Sequence, residues 1–559
     1  VYLLKIFHSF LPLRNPFGFG ASDWLVLAIA ILLVGLIAAR ATLAPYAFKI
    51  SSRTVLCMLL LFALAITLRL ALLPQSAVPI PSGADDFSYI LSGDTLSHFR
   101  LANAIHPLHQ FFEAVFVLQQ PAYASIYPLG QGMVLAFGQL VLHSAWAGIL
   151  LTSGVLAAGC YWMLRGWVAP IWALAGGILA LVQFGPLNPW VNSYWGGYVS
   201  AIAGCLVFGA LPRFRQFPCM RWALVLGSGV ALQILTRPFE ATFLVLAAAM
   251  YLAFAWHKTV MVALVPIAAA LLLTLLQNHA VTRSWTTLPY MLSRYEYGVP
   301  ATFTFQQNAI PHRALTAEQE LDYQAQAAIH GAGTDTPADY LHRLGYRARY
   351  LRFFLLPPLY LAALAFLPLA FRQWRYAWVG GTILLFALGT NFYPYFFPQY
   401  VAAITCLFIL VSVVGLQRLG SRVRISVLTL CGASFVFWYA LYLSGDENLL
   451  PLAAYQSWNY LNRGDPQGRA LVQSQLEKAE GRQLVFVRYS SFHRFAEWIH
   501  NDADIDSARI VWANDLGTEE NEKLLGYYAN RKAWLVEPDA HPPALTEYPR
   551  DSGQFLTVH

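Results

Sequence analysis

Charged residues are scarce in this sequence. Asp, Glu, Lys and Arg make up only 12% of its 559 residues, about half the share of an ordinary soluble domain. That excludes a soluble globular chain. Acids are scarcest before position 444: seventeen of the 29 lie after it. The six cysteines (Cys57, Cys160, Cys205, Cys219, Cys406, Cys431) form no CxxC and avoid the long polar stretches. A thiolate metal site is thereby excluded, and no disulfide is expected. No HExxH or HxxxH spacing is present. Repeats and low-complexity segments are also lacking, and no cleavable leader is expected.

What is there is apolar: 57% of residues are hydrophobic and the mean hydropathy is +0.49. Apolar runs long enough to cross a bilayer recur along most of the chain. The expected class is a polytopic α-helical membrane protein of about 12–13 spans. The candidate spans are 24–39, 54–73, 131–145, 147–163, 168–185, 198–211, 221–236, 240–256, 259–277, 351–370, 376–390, 399–416 and 425–443. The net charge of +7 calls for no nucleic acid. Its arginines and lysines sit in short loops such as 212–221 and 417–424, as the positive-inside rule requires of cytoplasmic loops. The segments 74–130, 278–350 and the tail from 444 then share the extracytoplasmic side of an inner (plasma) membrane. One conflict remains: 131–145 and 147–163 give one crossing too many, so one of them is expected to be re-entrant or interfacial.

Two domains are expected: a transmembrane domain over 1–443 with external loops 74–130 and 278–350, and an extracytoplasmic α/β domain over 444–559. The tail alternates β-like runs, "QLVFVRY" (483–489), "ARIVWAND" (508–515) and "KAWLVEPD" (532–539), with helix-like polar stretches.

The candidate chemistry starts at "GADDFSY" (83–89). A carboxylate just outside a membrane face can take a proton from a hydroxyl, and Asp85 and Asp86 could together hold a divalent cation. The plainer reading is a helix cap. The loop that follows is too aromatic for a solvated linker and reads as interfacial helices, with Tyr127 near its end. "NPWVNSYWGGYVS" (188–200) offers Asn192, Tyr194 and Trp195, either as interfacial belt or as a surface for sugars. In "TRPFEAT" (236–242), Arg237 and Glu240 are spaced for an ion pair. Alternatively Arg237 binds a lipid phosphate and Glu240 orients it. Asn278, Arg283 and Arg294 from 277–300, with Gln399 and Tyr400 from "NFYPYFFPQY" (391–400), come to the same membrane face.

An acidic pair opening a long first external loop, many spans and a C-terminal extracytoplasmic domain together resemble the GT-C superfamily of integral-membrane glycosyltransferases. The nearest branches are the protein O-mannosyltransferases and the lipid A aminoarabinose transferase. "VNSYWGG" and "DIDSARIVWANDLG" are similar to a bacterial subgroup of such proteins. The resemblance implies a first-loop aspartate that acts as catalytic base or positions the acceptor, and a polyprenyl-phosphate sugar as donor. It leaves open a lipid, glycan or protein acceptor. One departure is an additional span before the acidic loop. Adjacent carboxylates alternate direction if extended and point about 100° apart if helical, so only one is expected to face the site, and Asp85, nearer the helix exit, is favoured. Three rivals stand beside this reading. One is a transporter, against which the spans are nearly free of charge. Another is an oligosaccharyltransferase or glycan ligase, which a two-carboxylate metal site of Asp85 or Asp86 with another loop acid such as Glu113 would favour. The third is a noncatalytic scaffold.

Overall fold

The computed structural model describes residues 45–253, 257–331, 333–445, 468–491 and 496–549, with positions 32, 35, 465 and 493. The expected span 24–39, and with it the additional span before the acidic loop, lies outside the described residues.

The chain is a multi-pass membrane protein. Five described helices are long and apolar enough to cross a membrane: Thr54–Ala71, Ala145–Leu164, Lys258–Thr282, Pro398–Arg418 and Ser421–Ser444. A sixth is counted if the bent pair Pro337–Phe354 and Pro357–Arg372 is one span. Four shorter apolar helices, Leu129–Leu142, Pro170–Phe184, Met220–Thr236 and Pro238–Leu252, occupy places where full spans were expected. By length and composition, then, the described residues supply fewer full-length crossings than the 12–13 anticipated. The expected span 351–370 is interrupted at Pro357 and Pro358, beyond which the helix Tyr360–Arg372 begins; proline lacks the N–H that would carry the helix through. The helix Leu129–Leu142 has 14 residues, about 21 Å of rise against about 30 Å of hydrocarbon. It ends where His143 turns left-handed (φ 52°). It packs against Ala145–Leu164.

The helix Pro398–Arg418 runs through the centre of the bundle. Without an aqueous driving force between helices, close packing depends on small residues. A Cβ on Gly204 would lie 1.7 Å from the Ala403 carbonyl oxygen, and one on Gly415 would lie 1.9 Å from that of Ala362.

Residues 74–130 are folded. They contain the helix Ala84–Ser97, a short antiparallel hairpin of β1 (Val117–Leu118) and β2 (Ala124–Ser125), and a bridge from Asn103 to Tyr123. Residues 278–350 carry the helices Pro289–Tyr297, Ala317–His330 and Pro337–Arg347. The latter two open with capping boxes, Thr316 with Gln319 and Thr336 with Asp339, which satisfy otherwise orphaned N–H groups.

The tail forms a small α/β unit. Strands β3 (Gln483–Val487), β4 (Ile510–Asn514), β5 (Lys532–Glu537) and β6 (Ala544–Glu547) lie in the order β4-β3-β5-β6. β3 is parallel to both neighbours and β6 is antiparallel to β5. Buried on both faces, β3 reads as the continuous run "QLVFV" rather than an alternation. Helices Arg469–Lys478 and Thr518–Tyr527 accompany the sheet.

The tail packs on both loops. Asn514 donates to the carbonyls of Phe111 and Glu113, Tyr123 donates to the Asn501 carbonyl, and the Ala503 N–H donates to Asp94. Tyr297 and Gln319 of the second loop both donate to Glu113 of the first. Residues 74–130, 278–350 and the tail thus gather on one face of the bundle.

Candidate active site

Under this layered cover lies a cavity of about 430 Å³ lined by Asp85, Tyr127, Trp195, Arg237, Glu240, Arg294, Asp322, Gln399 and Tyr400, with an aromatic wall. Each polar group is delivered by a local feature of the sequence.

Asp85 stands in the first turn of the helix Ala84–Ser97, capped by the extended Gly83. Tyr127 donates its hydroxyl to Asp85 Oδ1, and its ring stacks on Tyr89 at 4.1 Å between centroids. Among the described residues no donor reaches Asp85 Oδ2. Burial raises the Asp85 pKa, opposed by the Tyr127 hydrogen bond and by Arg237.

Asp86 points elsewhere. Its Oδ1 accepts the Tyr194 N–H at 2.9 Å and its Oδ2 the Ser82 N–H at 3.3 Å. Burial pushes its pKa up to about 7. The two carboxylates therefore face different partners. Among the described residues no three His, Cys, Asp or Glu side chains group as metal ligands. Glu113 is also committed: Arg313 donates to it at 2.6 Å and Tyr297 at 2.9 Å.

Arg237 sits at the joint between Met220–Thr236 and Pro238–Leu252. Pro238 drives its predecessor out of the helical region, and Arg237 has φ −146° and ψ 84°. This break turns the guanidinium out of the helix line and over the Tyr400 ring, 4.7 Å from its centroid. Glu240, one turn on, is buried and pairs with Arg237 Nη1 at 3.6 Å. Arg294 is tethered by Nε to the Pro300 carbonyl at 3.0 Å and by Nη2 to that of Ala301 at 3.3 Å.

Trp195 is placed by the two glycines after it, both left-handed (Gly196 φ 82°, Gly197 φ 131°). A Cβ on Gly197 would lie 2.3 Å from the Trp190 ring. The Trp195 ring meets Phe397 edge-on at 5.4 Å. Its indole Nε1 is buried without a hydrogen-bond partner among the described residues.

Several expected site residues lie outside the cavity. Asn192 accepts from Arg69 Nε at 2.9 Å and donates to the carbonyls of Pro186 and Asn188. Tyr194 donates its hydroxyl to the Pro79 carbonyl. Asn278 donates to the Trp285 carbonyl, and Arg283 caps a helix with an exposed side chain. Asn192, Tyr194 and Asn278 thus hold the scaffold around the site, while Arg283 faces away from it.

Asp322 was not among the expected site residues. It stands on the helix Ala317–His330 with Ala325, Gln326 and Ile329 on the same cavity-facing side. Burial and then the nearby Asp85 carboxylate raise its pKa to about 7. The amphipathic stretch was legible in the sequence, but which face would meet a cavity was not.

The sequence matches no family model and no curated protein. Among solved structures, the chain is similar to ArnT from Cupriavidus metallidurans bound to undecaprenyl phosphate. That match covers 86% of this chain and 92% of the other, at 12% identity and a TM-score of 0.49. It is also similar to the oligosaccharyltransferase AglB from Archaeoglobus fulgidus, in complex with an inhibitory peptide and a dolichol-phosphate. There it covers 86% of this chain and 69% of the other, at 12% identity and a TM-score of 0.41. A third is the arabinofuranosyltransferase AftD from mycobacteria, covering 86% and 35%, at 12% identity and a TM-score of 0.37.

Proposed function

We propose that the chain is a glycosyltransferase that moves a single sugar from a polyprenyl-phosphate donor to a lipid, glycan or protein acceptor at the extracytoplasmic face of the inner membrane. The observation that carries this reading is the meeting of a proton acceptor, Asp85, and a phosphate-binding cation, Arg237, in one aromatic-walled cavity at an end of the helix bundle.

The chemistry follows from the groups present. The acceptor hydroxyl attacks the anomeric carbon and its proton passes to Asp85. A new C–O bond forms as the bond from the anomeric carbon to the phosphate oxygen breaks. The electron pair leaves with the polyprenyl phosphate, whose negative charge grows by one. Arg237, with Arg294 nearby, stabilises that charge, and arginine's planar fork suits phosphate oxygens. Inversion at the anomeric carbon is the expected stereochemistry. Burial raises the proton affinity of Asp85 and so strengthens it as a base. Trp195 and the tyrosines offer ring faces and hydrogen-bonding tips to a sugar.

The test is transfer by the purified full chain with radiolabelled undecaprenyl-phosphate sugars. Sugar-labelled product, lost in Asp85→Asn, supports the reading. A wild-type chain that neither binds undecaprenyl phosphate nor turns over any such donor overturns it.

A further inference from the structure

The mechanism above leaves one cavity-facing carboxylate without a task. The geometry points to Asp322, held by Gln326, as the residue that recognises a hydroxyl of the transferred sugar and so sets donor-sugar specificity. This assignment rests on the glycosyltransferase reading and deepens it.

Three observations carry it. First, Asp322 and Asp85 share the cavity and Tyr395 feels both charges. A sugar presented to Asp85 therefore lies within the space that Asp322 borders. Second, Asp322 is half-committed. Gln326 Nε2 donates to Oδ2 at 2.7 Å, while Oδ1 accepts from no described residue. Gln326 is itself fixed, because its Oε1 accepts the Ala301 N–H at 2.9 Å. The carboxylate is thus oriented with one oxygen left for a ligand. Third, no described cation forms a salt bridge with Asp322. A largely enclosed carboxylate without a cation wants donors, and sugar hydroxyls are the donors this cavity would receive.

The helix that carries Asp322 is also held in place. Gln319 donates to Glu113, and Glu318 faces His493 of the tail at 3.8 Å. A recognition group on a pinned helix discriminates better than one on a free loop.

The experiment uses the full chain in lipid nanodiscs. Binding is measured for bare undecaprenyl phosphate and for undecaprenyl phosphate carrying glucose, mannose or arabinose, in wild type, Asp322→Asn and Asp322→Ala. We expect bare lipid phosphate to bind all three proteins within about twofold, which also reports correct folding. The best sugar-linked donor should bind Asp322→Ala about ten- to a hundredfold more weakly. Removing the recognised hydroxyl from that donor should weaken wild type similarly and cost Asp322→Ala nothing more. Equal losses for bare and sugar-linked lipid, or no loss for either, overturn the assignment while leaving the functional reading intact. A wild-type chain that binds neither lipid overturns the glycosyltransferase reading, and this assignment with it.

Discussion

Asp86 accepts the backbone N–H of Tyr194 across 108 residues of sequence, at 2.9 Å. The segment 74–130 is thereby tied to the segment that presents Trp195 to the cavity, while the neighbouring Asp85 is left to face the site. We expect Asp86→Asn to fold less stably. Its amide would set an NH₂ against one of two N–H donors, leaving a buried donor unpaired at about 1–3 kcal/mol. Thermal unfolding of the purified variant, with residual transfer activity, checks this; an unchanged melting temperature contradicts it.

Asp85→Asn should abolish transfer while donor lipid still binds. The amide is isosteric and keeps an oxygen for the Tyr127 hydroxyl, but it cannot take the acceptor proton. General-base loss costs roughly 100- to 10,000-fold. Turnover alongside lipid binding separates chemistry from folding. Full activity in the variant would remove Asp85 from the mechanism.

Arg237→Ala should raise the donor KM more than it alters the acceptor KM. It also strands Glu240, which is buried at 1% exposure, and breaking a buried pair costs about 3–5 kcal/mol. The double variant Arg237→Ala, Glu240→Gln should therefore recover stability without recovering donor use. Recovery of both would reduce the pair to scaffolding.

The contact between the second loop and the tail should loosen as pH rises. Glu318 faces Glu497, Tyr489, His493 and Asp539 of the tail and Asp322 of its own helix. Burial pushes its pKa from 4.5 to about 8. Because the folded state holds this proton more tightly than the unfolded state, its contribution is full below 4.5 and is lost as pH climbs through about 8. Amide protection factors in 317–330, corrected for the intrinsic base-catalysed rate, should fall from pH 5 to 9 in wild type and stay level in Glu318→Gln. Protection that rises with pH would reverse the sign and sink the idea.

Topology can be probed with cysteines at exposed positions. Thr334→Cys in the second loop and Glu519→Cys in the tail should both label from outside intact cells with an impermeant thiol reagent. Ser421→Cys, in a basic short loop, should label only after lysis. Opposite behaviour of the first two would contradict the shared face.

The sequence by itself determined the membrane class, because apolar runs and scarce charge admit no soluble fold. It also determined most helix positions and three of the tail's four strands, since burial on both faces of β3 demands an unbroken apolar run; β6 (Ala544–Glu547) was not legible. The pairing of Arg237 with Glu240 was legible because it is local, one helical turn apart beside a proline. What only the tertiary structure decided was direction. Asp85 and Asp86 are chemically identical neighbours; the helix's rotation, set by packing of Ala84–Ser97, aims one into the cavity and the other at Tyr194. The same holds for "VNSYWGG", where Asn192 and Tyr194 turned inward to scaffold bonds and only Trp195 reached the site. Asp322 lay in a stretch whose helical period was plain, but its approach to Asp85 depends on the second loop folding over the first. Contacts between segments more than two hundred residues apart leave no periodic trace in the chain, because they are set by how whole elements dock.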